Sequence, residues 1–341
     1  MEKIAQTLRK TPDKIIFVCS SPYNILIAAS LIMKADLYGR CALILPTYSP
    51  KNINYFKEII HKMEQTGVIC EVINKRNMLY RAVGLSDREN RVIMERVLKK
   101  LHTKKHEFFL VNHTWNKALV CYPACLWFRY CKQTIFIEEG SSQRATPDEN
   151  PLILWMKKLY GNQRNFWKDG RLKGIYVGNR ELFAEYPMRE LKQFTLNVEY
   201  SREEKKKLLD LFAGGRSRTE IQRLKEAAHG IIYTQPLSED GYVKEEEKIE
   251  IYNSIVNYYS KYGKVVVKIH PRDTTHYDFP EDMILEGGYP SELLNILGIR
   301  FRFAIGICTS AIETAEAEIK INLNDNFLKD GKCELVPLDI R

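Results

Sequence analysis

The chain has 341 residues, 45% of them hydrophobic and 11% aromatic, with 52 Lys and Arg against 43 Asp and Glu and a formal net charge of +9. This length suits two domains better than one, and the apolar content excludes a disordered chain. The positive balance favours anionic partners, whether nucleic acid, an acidic surface or a nucleotide joined to an acidic sugar, and does not choose among them.

Taken in chain order, short apolar runs alternate with longer amphipathic segments. Strands are predicted over Lys14–Cys19, Cys41–Leu45, Val68–Ile73, Phe108–Asn112 and Gln133–Ile137. Helical patterns lie between them, over Asn24–Lys34, Ile53–Gln65 and Asn90–His102. Such a βαβα rhythm implies a mostly parallel sheet with helices on both faces. The apolar stretch Ile15 to Met33 is interrupted by Ser20-Ser21-Pro22-Tyr23-Asn24, which reads as strand, turn and helix rather than a membrane span. Any membrane contact is therefore expected to be peripheral.

A further strand is predicted over Gly174–Val177, followed by a highly charged stretch, Glu199 to Ala228, that reads as a helical connection with a solvated face. A new rhythm starts with the strand Gly230–Tyr233. It continues with a helix over Glu245–Lys261, a strand over Val265–Ile269, a helix over Ser291–Leu297, a strand over Phe301–Ile305 and a helix over Ser310–Ala317. The expected fold is α/β, with two Rossmann-like doubly wound domains facing a cleft. The first covers residues 1–199, a helical linker covers 200–229, and the second covers 230–341. In such sheets ligands sit beyond the carboxyl ends of the strands.

Eight cysteines, Cys19, Cys41, Cys70, Cys121, Cys125, Cys131, Cys308 and Cys333, form no C-x-x-C pair and complete no zinc site. Most sit in apolar runs and read as the reduced thiols of a cytosolic protein. The histidines other than His270 show no ligand spacing, so no metal is expected. There is no Walker loop and no G-x-G-x-x-G, which argues against an NTPase or a classical dehydrogenase. No nucleic-acid-binding motif is present, and no nucleic-acid partner is expected, although the charge alone would permit a basic binding module.

Several strand-end loops carry chemistry. The run Val265 to Ile269 delivers His270 to a sheet edge, where Pro271 removes a backbone donor and stops the strand. Flanked by Lys268 and Arg272, His270 can donate to an anion; equally, it can simply cap a turn. Thr309 and Ser310 open a helix whose N-terminus suits a phosphate, or they serve as N-cap with Glu313 completing a capping box. Tyr289-Pro290-Ser291-Glu292 enters another helix, where Glu292 can grip ribose hydroxyls or merely complement the helix dipole. Glu138-Glu139-Gly140 and Ser238-Glu239-Asp240-Gly241 each place paired acids after a strand, as candidate bases or as plain polar turns.

The order of an acidic-acidic-Gly motif (Glu138-Glu139-Gly140), a His-Pro motif (His270-Pro271) and a hydroxyl pair (Thr309-Ser310) resembles glycosyltransferase family 52, which holds bacterial lipooligosaccharide and capsule sialyltransferases of the two-domain GT-B fold. The strand-to-helix entry at Ser20, Ser21 and Tyr23, together with Gln235-Pro236-Leu237, fits the same likeness. The resemblance implies an inverting, metal-independent transfer of sialic acid from CMP-sialic acid to a terminal sugar hydroxyl, expected to be galactose, of a lipooligosaccharide or capsular glycan. His270 and Pro271 would meet the CMP phosphate, with Thr309 and Ser310 holding the same group. Glu292 would bind ribose beside Tyr289 and Pro290, and Ser20, Ser21 and Tyr23 would lie on the acceptor side. The base would be Asp240, with Glu138 and then Glu139 as alternatives. Glu-Glu stands here where some relatives have Asp-Asp. The same resemblance admits another nonulosonic acid or a nucleotide hexose as donor. No cofactor beyond the donor substrate is implied. A homodimer and a cytoplasmic location, peripheral at the inner face of the cell membrane, complete the expectation.

Overall fold

The computed structural model describes residues 1–47, 50–74, 85–113, 123–138, 169–183, 191–196, 198–226, 229–285, 288–307, 309–323 and 335–339. The chain divides into two compact units, Met1–Val198 and Glu199–Arg341.

The first unit opens with α1 (Glu2–Lys10), which buries Ile4, Ala5 and Leu8 and carries acid at its start and base at its end, matching the helix dipole. The strands follow as β1 (Lys14–Val18), β2 (Cys41–Thr47), β3 (Ile69–Asn74), β4 (Phe108–Asn112), β5 (Gln133–Ile137), β6 (Leu172–Val177) and β7 (Leu191–Gln193). Helices α2 (Pro22–Ala35), α3 (Pro50–Glu64), α4 (Leu85–Lys100) and α5 (Pro123–Tyr130) connect them. Among the described residues, the strands form a sheet in the order β3-β2-β1-β4-β5-β6-β7, with every pair parallel. All five residues of β4 are buried, which is why it reads as a continuous apolar run rather than an alternating one. Against it pack Met94 and Val97 of α4 and Trp127 of α5, whose ring meets Phe108 edge-on at 6.1 Å.

The second unit begins with α6 (Arg202–Phe212) and α7 (Gly215–Glu226), so the charged stretch expected as a linker is helical and falls within this unit. Ser201 caps α6 in a reciprocal box with Glu204, a signature written in the sequence Ser-Arg-Glu-Glu. Then come β8 (Gly230–Tyr233), α8 (Glu245–Tyr259), β9 (Val265–Lys268), β10 (Ile284–Leu285), α9 (Glu292–Ile296), β11 (Phe301–Ile307), α10 (Ala311–Thr314) and β12 (Ala317–Leu323). These strands are parallel throughout, in the order β10-β9-β8-β11-β12. The predicted helix over Ser310–Ala317 is corrected here. It stops at Thr314, Ala315 is extended, and Ala317 already belongs to β12. From Ala317 the alternation Ala-Glu-Ile-Lys-Ile-Asn-Leu has a strand period, and the predicted helix ran three residues past Thr314 to the first position of that strand.

Gly230 is required by packing, because a Cβ there would lie 2.1 Å from the buried ring of Phe303 on the neighbouring strand. Tyr252, Ile255 and Tyr259 of α8 complete that core with Val267 and Ile305.

Each sheet reverses its winding once, between β1 and β4 in the first unit and between β8 and β11 in the second. The carboxyl ends of those strands are where an open α/β sheet leaves a crevice for a ligand. Among the described residues, no helix is long and apolar enough to cross a membrane. The described cysteines Cys19, Cys41, Cys70 and Cys131 are buried free thiols, and burial pushes the Cys41 and Cys131 thiols up to about 12.

Candidate functional site

In the second unit the crevice edge is built by the segments that follow β8, β9 and β11. The Thr234 hydroxyl, just past β8, accepts the backbone N–H of His270 at 3.0 Å, which fixes the start of the loop after β9 against the end of β8. Nδ1 of the His270 ring accepts the backbone N–H of Arg272 at 3.1 Å. The neutral imidazole therefore carries its proton on Nε2, leaving that N–H as the donor. Burial, aided by the Arg272 charge, lowers the His270 pKa to about 4, so the ring is neutral at physiological pH.

The same loop is anchored from below. Lys248 of α8 is wholly buried, and its ammonium donates to Asp273 and Glu239 at 2.7 Å each. Asp273 also accepts the Tyr277 hydroxyl at 3.0 Å and the Thr275 N–H at 3.1 Å, while Glu239 accepts the hydroxyl of Thr274 at 2.9 Å as well as its N–H. Burial opposes ionisation of Glu239, but the Lys248 and Thr274 donors outweigh it and hold the carboxyl at about 2. Glu239 is thus committed to holding the loop after β8 to the loop after β9. Its neighbour Asp240 is not part of that network. Both its oxygens accept from the Arg272 guanidinium, at 2.7 and 2.9 Å, in an exposed bidentate pair.

Lys268, the last residue of β9, is buried with its ammonium 4.2 Å from the centre of the Tyr289 ring. Desolvation lowers its pKa to about 8, against the opposing pull of Glu220 and Glu292. Its charge is felt on both sides, pressing the His270 pKa down and offsetting part of the burial that raises Glu292. The Glu292 carboxylate accepts the Thr314 hydroxyl at 3.2 Å and the Ser291 hydroxyl at 3.3 Å. Glu292 therefore sits against the end of α10, the helix that Thr309 and Ser310 open. Pro290 is buried beside Tyr289, and its carbonyl accepts the Leu293 N–H at 3.1 Å.

Thr309 is buried, and its hydroxyl accepts the Ala311 N–H at 3.3 Å. Ser310 holds the N-cap position of α10 without a side-chain capping bond. The turn needs Gly306 below it, where a Cβ would come within 2.5 Å of the Thr309 methyl. The loop geometry thus gathers His270, Pro271, Arg272 and Asp240 at the ends of β8 and β9. It sets Tyr289, Pro290 and Glu292 against the helix of Thr309 and Ser310.

In the first unit the residues expected on the acceptor side have a local explanation. The Ser21 hydroxyl accepts the Asn24 N–H at 3.3 Å, and Asn24 Oδ1 accepts the N–H groups of Ser20 and Ser21 at 3.1 and 3.2 Å. This capping box starts α2 with Pro22 at its first turn, and Tyr23 lies half-buried within that turn. Glu138, at the end of β5, is buried and accepts the Gly178 N–H at 2.7 Å, closing the end of β6. His113 is fully buried at the end of β4, where desolvation lowers its pKa to about 3. Glu139 lies outside the described residues.

Sequence reasoning passed over Lys248 and Asp273. A lysine three places after the start of an acidic helix looks like surface, and only the contacts reveal that it is the hub of the loop. The usable signal was Asp273 itself, an acid directly after the basic His-Pro-Arg run.

The model of glycosyltransferase family 52 matches residues 171–322. A protein from Haemophilus influenzae described as uncharacterized is 34% identical over 160 residues, which cover 46% of this chain and 51% of that protein. The chain thus spans about half the length of the curated relative it matches. Among solved structures, the GT-B domain of a sialyltransferase from Photobacterium damselae is similar over 90% of each chain, with a TM-score of 0.55 and 14% identity. At that identity the likeness establishes the fold, and the fold is GT-B. The match to the model of glycosyltransferase family 52 spans His270-Pro271 and Thr309-Ser310, two of the three motifs that carry the resemblance, and Glu138-Glu139-Gly140 lies outside it.

Proposed function

We propose that this protein is an inverting glycosyltransferase that moves sialic acid from CMP-sialic acid to a terminal sugar hydroxyl, galactose by preference, of a lipooligosaccharide or capsular glycan. The observation that carries the reading is the state of His270. Its Nδ1 is occupied by a backbone N–H and the ring is held neutral, so Nε2 presents one fixed donor at a strand end of a family 52 segment. Such a donor suits a phosphate oxygen that gains charge as the glycosidic bond to CMP breaks. Thr309 and Ser310 would hold the same phosphate, with Pro271 shaping the turn. Glu292 would take the ribose hydroxyls, and Tyr289 and Pro290 would wall that side.

Asp240 is the base in this reading, taking the proton from the acceptor hydroxyl. Its adjacent acid, Glu239, is engaged by Lys248 and Thr274, and Glu138 is engaged by Gly178. Asp240 is paired too, but its partner Arg272 is exposed and can exchange, which favours Asp240 over both. The donor and acceptor are the partners, no metal is assigned a role, and the formal charge of +9 suits a site at the anionic inner face of a membrane.

The test is release of CMP from CMP-sialic acid in the presence of a galactose-terminated acceptor. The expected result is turnover that falls at least about a hundredfold in His270→Ala, the usual scale for removing one oxyanion donor. Full activity in that variant would sink the site. A thermal-shift panel of CMP, UDP and GDP separates donors, because stabilisation by UDP or GDP rather than CMP would point to a nucleotide hexose instead.

A further inference from the structure

The loop after β9 carries two kinds of ion pair, and they differ in whether a ligand can exchange with them. Lys248 is buried between two carboxylates whose other oxygens are also bonded. The Arg272–Asp240 pair stands in water, with side-chain exposures of 57% and 33%. The main chain on both sides of this exposed pair is held. Arg272 is tied through its N–H to His270, and Asp240 donates its N–H to the Pro236 carbonyl at 2.9 Å. Only the two side chains are left to move. A guanidinium fork that fits a carboxylate in two parallel hydrogen bonds fits a phosphate equally well. Both groups regain water when they part, so opening this pair costs far less than opening a buried one.

We propose that Arg272 is a second phosphate ligand of the donor site, and that Asp240 occupies it while the site is empty. The donor's phosphate displaces the Asp240 carboxylate from the guanidinium. The carboxylate oxygens, until then both accepting from Arg272, become available to a sugar hydroxyl. The donor consequently binds before the acceptor. This proposal rests on the reading of His270 as a phosphate site.

The test is a double-mutant cycle on nucleotide affinity, measured by calorimetry with CMP and with cytidine as the ligand lacking phosphate. Asp240→Asn should bind CMP several-fold more tightly than the wild type, because Arg272 no longer has to be released. Arg272→Gln should bind CMP about tenfold more weakly. The double variant should bind like Arg272→Gln, and cytidine affinity should be the same in all four proteins. The idea is overturned if Asp240→Asn binds CMP no better than wild type. It is equally overturned if the gain persists in the Arg272→Gln background, which would mark it as general removal of negative charge. If wild type binds UDP or GDP and not CMP, the CMP-sialic acid reading fails, and the same cycle with that nucleotide decides the exchange by the same signs. If no nucleotide that carries phosphate binds, both fall.

Discussion

Two salt-bridged clusters share the loops after β8 and β9, one built around Lys248 and one around Arg272. The first is centred on a Lys248–Asp273 pair sealed from solvent, with Glu239 reaching it from the surface and every partner bonded more than once. The second is a single forked pair open to solvent. Their contrast shows how one short stretch serves stability and binding together. Charges withdrawn from water must keep their partners or destabilise the fold, whereas charges left in water can change partners at little cost.

The largest effect should come from Lys248→Met, which strands two carboxylates and should destabilise the protein by about 3–5 kcal/mol in urea unfolding. A loss below about 1 kcal/mol would break the contrast. Tyr277→Phe removes one hydrogen bond to the Asp273 carboxylate and should cost about 1.5–3 kcal/mol by the same measurement. Asp240→Asn should change stability by about 1 kcal/mol or less, since its partner keeps water.

Acid probes the two regions without a substitution. His270 has its pKa lowered to about 4 from an unfolded value near ~6.5, so the unfolded chain binds the extra proton first. Its contribution is complete above about pH 6.5 and fades as pH falls toward about 4. Glu239, held at about 2, contributes above its unfolded value near ~4.3 and loses that contribution as pH falls further. A stability-against-pH curve should therefore decline as pH falls from about 6.5, where fully buried His113 contributes beside His270, and further below about 4.3 through Glu239, and His270→Gln should reduce the slope only above about pH 4. An upper slope identical in the two proteins would contradict the assignment to His270. This is the smallest of the expected signals, because it is read as a change of slope.

Much of the architecture was legible from residues alone. Buried parallel strands such as Phe108–Asn112 and Gly230–Tyr233 are uninterrupted apolar runs, and Ser201 with Glu204 announces the start of α6. The edges were harder to read. Two-residue β10 offers too few positions for a period, and β12, apart from its first residue Ala317, lies beyond the last predicted element. His270-Pro271 and Thr309-Ser310 stood out because each follows a strong strand, the position where α/β sheets expose side chains to ligands.

What the sequence determined by itself was the two-sheet plan and the loops that carry polar groups at strand ends, because hydrophobic periodicity and turn chemistry are local properties. Which acid in Ser238-Glu239-Asp240 is committed and which is exchangeable was decided only by the tertiary structure. Adjacent in the chain, Glu239 reaches down to a lysine buried in α8 and Asp240 reaches across to an arginine in water. The two carboxylates differ in whether the cation they meet is buried or in water, which is not a local property of the chain.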